Sequence, residues 1–300
     1  MDDQCIFVTD QGEVAIYSGI DPSSASTWSL QGVYDAGDLV LDQAIPFGGD
    51  LLLATVSGLV RLSGLIRHDK ATEARQALSA PIREWTDLVK GLARGQYITT
   101  IRDDTFLYFA TTNGLFDKIL VMNVATGAWS TITGWNAYQL GLFDGVLHFG
   151  NLTGDVFKTN IGGTDAGSPF TCTYVSAFID PSPMTIKVAG VISAEWQHSR
   201  AFNAEYSVSV DHQLSLPSAP IAAEIPADES SFWGVATWGV SHWNTDYSTS
   251  IKSKYAQKSA HATGRSFAVA VRVVSASELA LDCELLRTGL SITQGQAVAA

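Results

Sequence analysis

Side chains able to do chemistry are sparse in this chain and stand apart from one another. The histidines His68, His148, His198, His212, His242 and His261 are dispersed, and none belongs to a His-Glu-x-x-His pair, which sets two imidazoles on one helical face around zinc. No Walker-type phosphate loop occurs, and no Gly-x-Ser-x-Gly elbow that would expose a nucleophilic serine. Asp103-Asp104 is a paired carboxylate of the type that binds a cation or does acid–base work on a glycoside. It lies where one expected strand ends and the apolar run 105–109 begins, so a solvated turn is expected there. Asp2-Asp3 is read as a solvated terminus. Cys5, Cys172 and Cys283 are odd in number and far apart, which fits neither a disulfide framework nor a zinc pattern. They are expected to be buried free thiols. No catalytic residue, metal ligand or cofactor is assigned, and the chain is not expected to be an enzyme.

Aromatic residues are the more informative group. Trp129 and Trp135 flank a short strand pair, and Trp233, Trp238 and Trp243 recur every five residues. An odd step places successive side chains on opposite faces of a strand, and a five-residue step fits no single helical face. One reading is a sugar-binding aromatic surface. The reading adopted is structural: the indoles fill the core between layers, because Trp buries a large area.

The elements that would position these residues are written in glycine-punctuated hairpins. Val8-Thr9-Asp10-Gln11-Gly12-Glu13-Val14 resembles Ala54-Thr55-Val56-Ser57-Gly58-Leu59-Val60. Ala110-Thr111-Thr112-Asn113-Gly114-Leu115-Phe116 and Gly150-Asn151-Leu152-Thr153-Gly154-Asp155-Val156 follow the same form. Each is an apolar strand, a polar turn, a glycine and a second strand. Gly12, Gly58, Gly114 and Gly154 are spaced roughly 40–56 residues apart, about the length of a propeller blade. Generic hairpins without a common origin are the alternative.

Residues 69–94 carry a helical stripe: Ala71, Ala74, Leu78, Ile82, Trp85, Val89 and Leu92 fall at three- and four-residue steps. Pro81 is expected to divide it and start a second helix. The stripe is expected to pack on its own sheet; docking on a neighbouring subunit is the alternative. Residues 161–169, a turn-rich stretch with three glycines and Pro169, mark the expected domain boundary. Beyond it, strands are expected at 170–178, 185–196, 204–210 and 266–274, with a long loop over 217–228. The expected fold is thus mostly β. Residues 1–160 form propeller-like blades with a helical insertion, and residues 161–300 an antiparallel, sandwich-like domain.

Charge narrows the partners. The formal net charge is −12 and the basic residues are scattered, so no stripe is available to displace counterions from a phosphate backbone. Sequence-specific nucleic-acid binding is not expected. An acidic surface suits instead a wall along which DNA slides without adhering. No signal peptide or membrane-spanning run is present, and no membrane insertion is expected. The strand-like Cys5-Ile6-Phe7-Val8 follows Met1 so closely that upstream sequence is expected to be missing or to lie on another chain.

Several segments resemble the tail-nozzle family of short-tailed bacteriophages, also called tail tubular or packaged-DNA stabilisation proteins. They are Cys5-Ile6-Phe7-Val8-Thr9-Asp10-Gln11-Gly12-Glu13-Val14-Ala15-Ile16-Tyr17, continuing through Gly19-Ile20-Asp21-Pro22-Ser23 and Thr27-Trp28-Ser29-Leu30. Next come Val121-Met122-Asn123-Val124-Ala125-Thr126-Gly127-Ala128-Trp129 with Gly134-Trp135-Asn136-Ala137, and Leu147-His148-Phe149-Gly150 with Gly154-Asp155-Val156-Phe157. The Trp-Gly steps at Trp233 and Trp238 complete the set. The segments follow the family's order over nearly the whole chain. The resemblance implies a virion subunit containing a β-propeller, assembled in the host cytoplasm as a homo-oligomeric ring, a hexamer, below the portal and the tail adaptor. The ring forms the distal channel for genome ejection. It implies no catalytic residues and no cofactor. The family's long N-terminal region is absent here, so a second polypeptide supplying further blades is a possible partner. The rivals are a receptor- or glycan-binding tail protein, resting on the tryptophans, and a polysaccharide-cleaving enzyme, resting on Asp103 and Asp104.

Overall fold

The computed structural model describes residues 4–9, 11–40, 44–67, 76–82, 98–102, 106–112, 117–182, 185–223, 251–276 and 280–294. The chain is mostly β and divides into two compact units, Met1–Asn160 and Ile161–Ala300.

The first unit is a series of small antiparallel sheets, each made from strands consecutive in the chain. The first sheet joins β1 (Gln4–Val8), β2 (Glu13–Gly19) and β3 (Trp28–Asp35). The second joins β4 (Ile45–Phe47), β5 (Asp50–Thr55) and β6 (Gly58–Arg61), with the short helix α1 (Leu62–Arg67) directly after it. The third joins β7 (Ile98–Arg102), β8 (Phe106–Thr112), β9 (Asp117–Asn123) and β10 (Trp129–Thr133). The fourth joins β11 (Gln139–Phe143), β12 (Val146–Gly150) and β13 (Val156–Lys158).

These sheets pack face to face in chain order, and strand alternation explains how. Val14 and Ile16 of the first sheet share a core with Leu53 and Val60 of the second. Leu52, Ala54 and Leu59 project the other way and meet Leu107, Phe109, Leu120 and Met122 of the third. The intervening residues Tyr108, Ala110, Ile119 and Val121 pack on Leu140, Leu147 and Phe149 of the fourth. The middle sheets are therefore apolar on both faces, so β5 and β8 read as continuous apolar runs while the outer sheets alternate. Among the described residues the sheets do not close into a barrel or propeller.

Of the helix expected over 69–94, only 76–82 lies within the described residues, and 77–82 forms turns, with Ala80 N–H donating to Ala77 O and Ile82 N–H to Ser79 O. Pro81 lies within this turn. Leu78 N–H donates to Leu59 O at 2.9 Å, and Leu59 N–H donates to Ser79 Oγ at 2.9 Å. Bonding to the second sheet has replaced bonding within a helix, and Leu78 and Ile82 lie against the adjoining core. The described helix α1 lies upstream and buries Leu62 and Leu65.

The second unit is a sandwich of two three-stranded antiparallel sheets. One is ordered β14 (Phe170–Val175), β18 (Phe267–Ser275), β16 (Ala204–Val210); the other is ordered β17 (Lys252–Gly264), β15 (Lys187–His198), β19 (Cys283–Gln294). Ile192, Ala194 and Trp196 of β15 face Val269, Val271 and Val273 of β18 across the core. Lys187 is fully buried at the start of β15, where its Nζ pairs with Asp180 and donates to Ser182 O at 2.6 Å.

Candidate functional site

The turn glycines hold the hairpins. In the β1–β2 turn, Thr9 N–H donates to Glu13 O, Glu13 N–H to Thr9 Oγ1, and Gly12 N–H to Thr9 O. In the β12–β13 turn, Asn151 N–H donates to Asp155 O, Asp155 N–H to Asn151 Oδ1, and Gly154 N–H to Asn151 O. The two turns share one bonding pattern, with glycine at the same step and φ of 83° and 92°. Gly58, with φ of 146°, has no room for a side chain either: a Cβ there would lie 2.8 Å from the Ala77 methyl and 2.7 Å from Ser79 Oγ. Gly114 falls outside the described residues, as do Asp103, Asp104, His68, His242, Trp233, Trp238 and Trp243.

The two described tryptophans of the set serve different cores. Trp129 packs on the core between the second and third sheets and donates its indole N–H to Leu78 O at 2.8 Å. Trp135 stacks on Phe149 with centroids 5.0 Å apart, and Phe149 stacks on Phe157 at 5.0 Å, between the third and fourth sheets. Neither belongs to a shared platform, and both are half-buried.

The described histidines are held singly. His148 Nδ1 lies 3.0 Å from Val146 O, and His198 Nδ1 lies 2.9 Å from Arg200 O. His212 packs on Phe178, and His261 sits in β17. Among the described residues no group of three or more His, Cys, Asp or Glu is placed to hold a metal ion. Nor, among them, is any helix long and apolar enough to cross a membrane.

A cleft that the sequence did not announce opens between the two sheets of the second unit, with a volume of about 370 Å³. Its walls are the edge strands β14 and β19, contributing Phe170, Cys172, Tyr174, Cys283, Leu285 and Arg287. Phe170, Cys172 and Tyr174 pair with Ser275, Val273 and Val271 and so face the sandwich interior, yet all three remain exposed. This corrects the expectation of buried thiols: the cysteines are free, but Cys172 is exposed, and Cys5 and Cys283 are half-buried. The reason is that β14 ends its sheet and nothing described covers its inner face. Even so, apolar surroundings push the Cys283 thiol up to about 11, with the nearby Cys172 and Asp282 adding to the shift, and desolvation raises Cys172 as well. Such thiols are poor nucleophiles. The cleft offers an apolar surface with Arg287 at its lining and no activated group.

No protein-family model matches this chain, and no curated protein matches it.

Proposed function

We propose that the chain is a structural subunit of a bacteriophage virion, a tail-nozzle or tail-tube component forming part of the genome-exit channel. It works as a homo-oligomeric ring, a hexamer, beside the tail adaptor. The observation that carries this reading is the run of four small meander sheets stacked face to face in chain order. Propeller blades follow one another in this way, each blade a short antiparallel sheet packed on the next. Segments that resemble the nozzle family fall on the same framework. Residues 5–17 make the β1–β2 hairpin, 121–129 lead into β10, and 147–157 make the β12–β13 hairpin. A channel wall needs shape, an interface that closes and a surface that does not hold DNA. The net charge of −12 and the lack of a basic stripe fit the last requirement.

The test is a reconstruction of the intact particle, together with negative-stain images of the purified chain. Ring particles and density for this chain around the channel are expected. A monomer that binds glycans on an array would replace the reading with a receptor-binding one. Polysaccharide turnover lost in Asp103→Asn or Asp104→Asn would replace it with an enzyme.

A further inference from the structure

The two ends of the sheet stack in the first unit differ from its middle. In the first sheet, Val14 and Ile16 face the second sheet, so Phe7, Tyr17, Leu30 and Val33 face outward by alternation and register. Phe7, Leu30 and Val33 are 52%, 49% and 55% exposed, far above the buried positions opposite them. Across this face Phe7 meets Tyr17 edge-on at 5.6 Å, and Tyr17 stacks on Trp28 at 5.6 Å. At one end of the same face Glu13 and Asp35 are direct cross-strand partners.

The fourth sheet presents a complementary outer face. Leu140, Leu147 and Phe149 turn toward the third sheet, which leaves Phe143, Val146, His148, Val156 and Lys158 outward. Phe143 and Val156 are 75% and 74% exposed. His148 and Lys158 are cross-strand partners, and Phe143 lies against the His148 ring at 6.1 Å. One end of the stack is thus apolar with two carboxylates, and the other is apolar with an amine and an imidazole.

We propose that the outer face of β1–β3 in one copy seats on the outer face of β11–β13 in the next. The contact repeats between copies the sheet-on-sheet packing that holds consecutive sheets within one copy. It is heterologous, so it builds a ring where the rotation closes and a filament where it does not. This deepens the homo-oligomer part of the proposed function and does not depend on the virion. A three-stranded face is small beside a standard interface, so one contact alone is weak and ring closure strengthens it.

The experiment is sedimentation velocity on the full chain over a wide concentration range. Wild-type chain is expected to self-associate. Leu30→Asp blocks one face and Phe143→Asp the other; each alone is expected to be a monomer with unchanged far-UV circular dichroism. Mixed together, they are expected to form a heterodimer and nothing larger, because one usable face remains on each. Lys158→Glu is expected to weaken association about two- to fivefold, as a rim charge does. If Leu30→Asp unfolds, Val33→Ser takes its place. Self-association of either blocked variant overturns the proposal, as does a mixture that stays monomeric. A wild-type chain that is monomeric throughout also overturns it, and leaves the faces to a second polypeptide. Rings that persist in Leu30→Asp would discard these faces and keep the ring. Absence of the chain from virus particles would discard the nozzle and keep the head-to-tail contact.

Discussion

At the scale of single residues, Gly12 and Gly154 separate two reasons for a glycine. Both have positive φ, but a Cβ on Gly12 would sit 1.9 Å from Gly37 O, whereas one on Gly154 meets nothing within 4 Å. Gly154→Ala should cost only the left-handed backbone penalty, about 1–2 kcal/mol. Gly12→Ala adds a clash with backbone and should cost clearly more. Urea denaturation of both variants checks the order, and equal losses would contradict it. Cys283 gives a second case. A thiol raised to about 11 is almost wholly protonated at pH 8, so alkylation in the folded chain should run at least ~10-fold slower than in denaturant. The sign for stability follows. The folded state holds this proton more tightly than the unfolded state, so its contribution is full below the unfolded thiol value near ~8.5 and is lost as pH rises toward about 11. Thermal melts between those pH values should show a Tm decline that Cys283→Ser reduces.

At the scale of elements, the turn at 77–82 is held by its neighbours. Trp129 of β10 clamps it through the Leu78 carbonyl, and β6 clamps it through Leu59. Trp129→Phe keeps most of the apolar contact but leaves that carbonyl without its donor. A loss of about 1–2 kcal/mol in chemical denaturation is expected. A neutral result would mean that the indole N–H does not hold the turn. Lys187 plays a similar part in the second unit, tying residues 180–182 to the start of β15. Lys187→Ala removes a fully buried member of an ion pair and should cost about 3 kcal/mol. Lys187→Met, which keeps the aliphatic stem, should cost less. Melting temperatures of the two variants settle the comparison.

At the scale of the whole molecule, composition and charge govern behaviour more than any single site. A chain at −12 without a basic stripe should not retard duplex DNA in a gel shift even at low salt. Binding that weakens steeply with added salt would show that its cations gather on one surface, and would count against the proposed channel wall.

Much of this protein was legible in its sequence, because strands and tight turns are local. Alternation placed Val14 and Ile16 on one face, and the Thr9–Gly12 and Asn151–Gly154 patterns specified their turns through φ and side-chain acceptors. The turn-rich stretch after Asn160 coincides with the division between the two compact units. What the sequence could not decide is which apolar face meets which. The spacing of Leu78 and Ile82 suits a helix, yet the Leu78 N–H bonds to Leu59 of β6 and the Ile82 N–H closes a turn on Ser79, because the second sheet offers a longer-range partner. Cys172 and Cys283 share a cleft only because the sandwich register sets β14 and β19 on facing edges. Apolar rows are chemically interchangeable, so a strand records its own two faces in its period but not the identity of their neighbours. That choice is made when the sheets pack.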